Sequence, residues 1–209
     1  MKINQIYQKL LKHFGKQNWW PTKTNNKFTE VSIGAILTQN TNWKNVEKAI
    51  ENLINENLLD LQKIKKIDLN RLKTLIKPAG FYNQKAQYIK NFAHKITNAE
   101  IKDINREFLL SIKGIGKETA DSILLYGLDK PYFVVDAYTK RLFYRANIIE
   151  TEKIPYNQLQ NLIQSQIPSD LEIYKEFHAL IVELGKKYCK KKNPVCLHCP
   201  IKSLCDKKI

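Results

Sequence analysis

Only one stretch of this 209-residue chain, Pro131–Val135 (PYFVV), reads as a strand, and one strand cannot pair with itself. The rest follows helical spacing. In "VSIGAILTQNTNWKNVEKAIENLI" apolar positions recur at three- and four-residue steps within two runs, Ile33, Ile36 and Leu37 and then Val46, Ile50 and Leu53. "LNRLKTLI" is a short helix that stops at Lys77, because a residue before proline disfavours helical backbone. "NQKAQYIKNFAHKI" puts Ala86, Ile89, Phe92, Ala93 and Ile96 on one side. "NREFLLSI" runs into Gly114-Ile115-Gly116, and "KETADSILLYGL" starts a further helix with Gly127 as its terminator. "VVDAYTKRLFYRAN" is helical from Ala137, and "YKEFHALIVELGKKYC" is strongly amphipathic. The expected fold class is all-α, with length enough for one or two domains and a real core.

Apolar residues make up 43% of the chain, which favours a folded protein over a disordered one. The longest apolar runs, such as Ile33–Leu37 and Phe133–Val135, are far too short to span a membrane. The N-terminal "MKINQIYQKLLKHFG" carries Ile3, Ile6, Tyr7, Leu10, Leu11 and Phe14 along one helical face and does not read as a signal peptide. A soluble cytoplasmic protein is expected. The formal charge is +15, which favours an acidic partner, nucleic acid above all. Yet only four of the 35 basic residues are arginine (Arg71, Arg106, Arg141, Arg145), and a lysine- and asparagine-rich chain also arises from compositional bias.

All four cysteines, Cys189, Cys196, Cys199 and Cys205, lie in the last 21 residues with spacing C-x6-C-x2-C-x5-C. Nothing in the chain suggests secretion, so a pair of disulfides is disfavoured. Four thiolates in so short a span can surround one metal centre, and both zinc and a 4Fe-4S cluster accept four cysteines. The wide loops favour the larger object, with zinc as the alternative. Lys186, Lys187, Lys190, Lys191 and Lys192 crowd the same region.

"LLSIKGIGKETA" has the layout of a helix–hairpin–helix. One helix ends, Gly114 and Gly116 allow tight backbone geometry, Ile115 packs inward, and a second helix begins at Lys117. The uncapped N–H groups at such a start can hold a phosphate. Asp136 follows 22 residues after Gly114, just before the next helix. Taken alone, an aspartate there is a helix cap.

Hairpin, aspartate and cysteine tail together resemble the endonuclease III family of DNA glycosylases. "LTQNT" (37–41), "KGIGKETA" (113–120), "VVDAYTKRL" (134–142), "HALIVELGKKYC" (178–189) and the cysteines stand in that family's order, so the resemblance covers nearly the whole chain. It implies a six-helix barrel domain, expected over 22–130, and a second helical domain over 1–21 and 131–209. The second domain would hold a 4Fe-4S cluster on the four cysteines, with a DNA groove between the domains. It also implies damaged double-stranded DNA as partner, a monomeric and nucleoid-associated protein, and Asp136 as the catalytic aspartate. Gly114, Ile115, Gly116 and Lys117 would contact DNA, and Gln39 matches the residue that fills the gap left by a flipped base.

Strand-cleaving members of that family carry a lysine two positions after the second hairpin glycine, where it forms a Schiff base. This chain has Glu118 there. Adjacent helical residues point about 100° apart, so Lys117 does not replace it, and a carboxylate forms no Schiff base. A monofunctional glycosylase is expected, with Glu118 lining the base pocket or stabilising its helix start. "WWPT" (19–22), "LTQNTNW" (37–43), "PAGFYNQKA" (78–86) and "GIGKETADSIL" (114–124) look like the 3-methyladenine DNA glycosylases of the superfamily. Trp43, Trp19, Trp20 and Tyr82 are then the residues that would hold a cationic base. The competing readings are a glycosylase for oxidised pyrimidines or mispaired bases, and a non-enzymatic DNA-binding protein with a structural zinc.

Overall fold

The computed structural model describes residues 2–206. The helices are α1 (Lys2–Phe14), α2 (Lys27–Leu37), α3 (Trp43–Asn55), α4 (Leu61–Lys66), α5 (Leu69–Ile76), α6 (Tyr82–Ile96), α7 (Arg106–Leu110), α8 (Lys117–Ser122), α9 (Ala137–Arg145), α10 (Tyr156–Gln164) and α11 (Leu171–Lys187). Short 3₁₀ turns intervene, and a π-helical turn over Ile123–Gly127 continues α8. The fold is all-α, and no strand occurs among the described residues.

Pro131–Val135 carries no regular structure. Its buried backbone finds side-chain partners on α10 instead of a second strand. Gln164 accepts from Phe133 N at 3.0 Å, Gln160 donates to the Phe133 carbonyl at 2.7 Å, and the Tyr156 hydroxyl accepts from Val135 N at 3.3 Å. Buried polar backbone must be satisfied somewhere, and this helix does what a sheet would have done.

The apolar periodicity running through residues 33–53 is split between two helices. Thr38 closes α2, Asn40 takes a left-handed φ of 52°, and Asn42 caps α3 by accepting from Asn45 N. Asparagine and aspartate recur in this role. Asn26, Asn42, Asp60, Asp68, Asn105, Asp136 and Asp170 each cap a helix through the side chain. Such a cap is worth about 1 kcal/mol.

The chain divides into two compact units, Thr22–Asp129 and Met1–Pro21 with Lys130–Ile209. In the first, α2 is the core helix: every residue from Thr29 to Leu37 is buried, and α3, α6, α8 and the π-helical turn pack on it. In the second, α1 and α9 pack on α11. Ile3, Ile6 and Leu10 are buried there with Phe177, Leu180, Ile181 and Leu184. Each such side chain contributes about 1.5–3 kcal/mol of hydrophobic stabilisation. The glycine in "ELGKK" has a packing cause, since a Cβ on Gly185 would lie 2.1 Å from the Tyr138 ring. No helix among the described residues is long and apolar enough to cross a membrane.

Candidate active site and cysteine centre

The hairpin is built as its glycines require. Gly114 has φ +102°, and a Cβ there would fall 2.1 Å from the Tyr88 ring. Ile115 is buried, and its N–H bonds the Ile112 carbonyl at 3.0 Å. Gly116 sits at the N-cap of α8 without a side-chain cap, and the N–H groups of a helix's first turn have no intrahelical acceptor. Arg106 of α7 and the fully buried Asp121 of α8 join in a two-pronged pair at 2.6 and 3.1 Å. Lys117 and Glu118 are both exposed in the first turn of α8. Gln39 is tied to this hairpin: its Nε2 donates to the Gly114 carbonyl and to Thr119 Oγ1, each at 3.1 Å.

Asp136 caps α9. Its Oδ1 accepts from Thr139 N at 2.7 Å and from Thr139 Oγ1 at 2.8 Å. Its Oδ2 lies 3.6 Å from His178 Nε2 on α11, longer than a hydrogen bond. Burial pushes the Asp136 carboxyl up, but His178 and the Thr139 donors outweigh it, and the net result lies below the ordinary 3.8. The carboxylate is therefore ionised at neutral pH. It has the cap geometry anticipated for it, and the cap consumes only one of its two oxygens.

His178 joins Asp136 to the tryptophan pair. Trp19 stacks on His178 with centroids 5.6 Å apart and planes 8° apart, and Trp20 stacks on Trp19 at 5.5 Å and 9°. Glu176 of the same helix accepts from the backbone N–H groups of Gln17 and Asn18, anchoring the segment that leads into the pair. Trp43 and Tyr82 open α3 and α6 in the Thr22–Asp129 unit, both partly exposed.

The four cysteines are unpaired with one another as disulfides and line one recess, together with Leu142, Arg145, Leu184, Tyr188, Ile201 and Lys202. Burial pushes the Cys199 thiol up to about 11. Two buried arginines of α9 grip this loop. Arg141 Nε donates to the Cys189 carbonyl at 2.8 Å. Arg145 donates to the carbonyls of Lys190 and Lys191 at 2.8 and 3.3 Å, and its Nη1 lies 3.5 Å from Cys189 Sγ. Among the described residues no group of His, Cys, Asp or Glu is arranged to hold a single metal ion.

Sequence reasoning missed His178, Glu176, Arg141 and Arg145. The only signals were a histidine inside the otherwise apolar "HALIV" and two of the chain's four arginines standing one helical turn apart.

Comparison with known proteins decides what this arrangement belongs to. Residues 33–169 match the profile of the HhH-GPD superfamily base excision DNA repair proteins. The chain belongs to the HhH-GPD superfamily. It is 54% identical over 214 residues to a protein of Methanocaldococcus jannaschii provisionally named a DNA repair glycosylase, covering 97% of this chain and 95% of that one. It is 30% identical to endonuclease III of Sulfolobus acidocaldarius, over 97% of this chain and 94% of the relative. The solved H. pylori 3-methyladenine DNA glycosylase bound to 1,N6-ethenoadenine superposes with a TM-score of 0.77 at 33% identity, covering 89% of this chain and 98% of that one. A non-covalent endonuclease III–DNA complex shares the fold at a TM-score of 0.85 and 21% identity, over 98% and 95% of the two chains. This HhH-GPD protein is a DNA glycosylase of base excision repair, and DNA is its binding partner.

Proposed function

We propose that this HhH-GPD glycosylase is monofunctional and hydrolyses the N-glycosidic bond of alkylated purines such as 3-methyladenine in damaged duplex DNA, acting as a monomer. One observation carries the reading: an ionised Asp136 stands beside a continuous Trp20–Trp19–His178 stack in the same unit. Glycosidic cleavage passes through an oxocarbenium-like sugar. The carboxylate stabilises that positive charge and orients the attacking water. The C1′–N bond breaks with its electron pair leaving on the base, and the water oxygen bonds C1′ and gives up a proton to solvent.

An alkylated purine that is already cationic leaves readily and needs little acid catalysis. Electron-rich rings suit such a base once it is flipped from the stack; Trp19 and Trp20 supply them in the unit of Asp136, and Trp43 and Tyr82 are the further aromatic candidates. The likeness to the H. pylori enzyme with its bound ethenoadenine supports this choice of substrate. Glu118 lies in the first turn of α8, where its charge suits the helix dipole and attracts a cationic base. Because it stands where strand-cleaving relatives carry a lysine, the product is an abasic site in an unbroken strand. Gly114, Ile115, Gly116 and Lys117 grip a phosphate beside it, and Gln39 fills the vacated stack.

Cys189, Cys196, Cys199 and Cys205 fit a 4Fe-4S cluster. Zinc, with Zn–S bonds of about 2.3 Å, would draw the sulfurs to within roughly 4 Å of one another. Here four thiols share one recess, and the wide x6 and x5 spacers between them suit a larger object. When bound, the cluster supplies four covalent ties across the loop, and Arg145 lays its positive charge against the Cys189 sulfur. Purified protein that is brown, with visible absorption lost in Cys199→Ser, supports the cluster; a colourless zinc protein contradicts it.

The reaction class is tested by sodium borohydride trapping on a 3-methyladenine duplex. Base release without a covalent adduct is expected. A trapped adduct would mean that a lysine acts as nucleophile.

A further inference from the structure

Lys85 is a lysine in the core. It lies on α6 with 2% of its surface exposed, and its Nζ donates to the carbonyls of Leu37 and Ala79, both at 2.8 Å. Both carbonyls are ones the backbone leaves unsatisfied. Leu37 ends α2, and the amide four residues on, Thr41 N, bonds Thr38 instead. Ala79 ends a 3₁₀ turn, after which Gly80 and Phe81 take positive φ of 67° and 47°. Gly80, with ψ 167°, uses a region open to glycine, but Phe81 is a left-handed aromatic residue, and such a residue persists only where surrounding contacts over-determine it. Phe81 is 65% exposed, so its own side chain is not what holds it.

The Leu37 carbonyl precedes Thr38 and Gln39, and Gln39 bonds the hairpin at Gly114 and Thr119. One polar chain therefore links three turns of the same unit: Ala79–Phe81, Thr38–Asn42 and the hairpin. A lysine is suited to its centre because an ammonium carries several donors and meets the negative end of the α2 dipole. No charged side chain shares in setting its charge state; burial alone lowers it.

We propose that Lys85 is a positioning residue, a buried brace that fixes the Thr38–Asn42 and Ala79–Phe81 turns against each other and through Gln39 against the hairpin, so that they meet duplex DNA as one rigid surface. The DNA-facing part rests on the reading of Gln39 and the hairpin given above; the bracing of the turns does not.

Lys90 provides a matched control on the same helix. Its Nζ donates to the carbonyls of Ile64, Lys65 and Ile67 at 3.1, 2.8 and 2.6 Å, so it caps α4 but touches none of the three turns. Lys85→Met and Lys90→Met would be compared by anisotropy on a duplex carrying a tetrahydrofuran abasic analogue, with melting temperatures measured alongside. Lys85→Met weakens binding about tenfold or more, the size expected when a buried charged hydrogen bond is lost. Lys90→Met leaves affinity unchanged at a similar loss of melting temperature. Equal affinities in Lys85→Met and wild type, or equal weakening in both variants, would overturn the proposal.

A second measurement needs no variant. In native-state amide hydrogen exchange of the wild-type protein, Thr38 and Thr41 open together with Gly80 and Gln84, and separately from Ile67. Independent opening of the two turns would overturn the brace. If the wild type fails to bind the abasic duplex at all, the DNA-facing reading fails while the exchange result still decides the brace.

Discussion

The turns around the hairpin and the surroundings of Asp136 hold their candidate functional residues in different ways. In Thr22–Asp129, side chains reach for backbone: Gln39 to Gly114, Lys85 to Leu37 and Ala79, Lys90 to three carbonyls of the α4 end, Asn52 to Leu75. Such a lattice fixes the course of the chain and leaves backbone donors to face a ligand. Around Asp136, side chains meet side chains: a carboxylate on a threonine hydroxyl, an imidazole at its other oxygen, two stacked indoles beyond. The first arrangement suits gripping a phosphate, which any backbone N–H can do. The second suits chemistry, which depends on the identity of each side chain. Substitutions in one unit are then expected to change affinity, and substitutions in the other to change rate.

The largest effect tests the rate side. Asp136→Asn keeps the size and the capping oxygen but removes the charge, and single-turnover base release is expected to fall by about a thousandfold or more. Duplex affinity should stay nearly constant; if affinity falls in step with rate, the division between the units breaks. Gly114→Ala tests the other side. It forces a Cβ into the Tyr88 ring at a φ of +102°, so a loss of about 3 kcal/mol in urea unfolding is expected. Duplex binding should weaken, while the release rate of whatever duplex does bind should change little.

A smaller effect comes from Lys85, whose ammonium is lowered by burial from 10.5 to about 8. The folded value lies below the unfolded one, so the unfolded chain holds the extra proton in that window and stability rises with pH. Lys85→Met should remove a rise of roughly 2 kcal/mol between pH 8 and 10, read as the difference between wild-type and variant urea midpoints. The smallest expected effect is a null one. Asp136 is held below 3.8, so its stabilising charge is present above that value and lost only as pH falls beneath it. Release from bound duplex should show no acid limb from this residue above about pH 4. A limb near neutrality that disappears in Asp136→Asn would contradict the geometry around it.

What was legible in the sequence divides along the same line. The hairpin could be read because its backbone demands glycines at fixed places, and Asp136 because a cap stands immediately before its helix. The cysteines announced themselves by spacing. His178 could not be read, since on an amphipathic helix it counts as one more inward position and its neighbours are 42 and 159 residues away in sequence. Lys85 was hidden for the opposite reason. Periodicity assigns a lysine outward, and only the unsatisfied ends of α2 and the 3₁₀ turn explain why this one points in. The gap between α2 and α3 falls in the nine-residue interval from Leu37 to Val46, wider than any helical step. The lone strand-like segment joins no sheet because its partners are glutamine and tyrosine side chains rather than another strand.

The central claim is tested most directly by chromatography of what the protein liberates from duplex DNA treated with a methylating agent. The account predicts free 3-methyladenine, with strands intact until the abasic sites are cleaved by alkali. Release of thymine glycol from an oxidised duplex with no methylpurine from the methylated one, or strands already nicked before alkali, would contradict it.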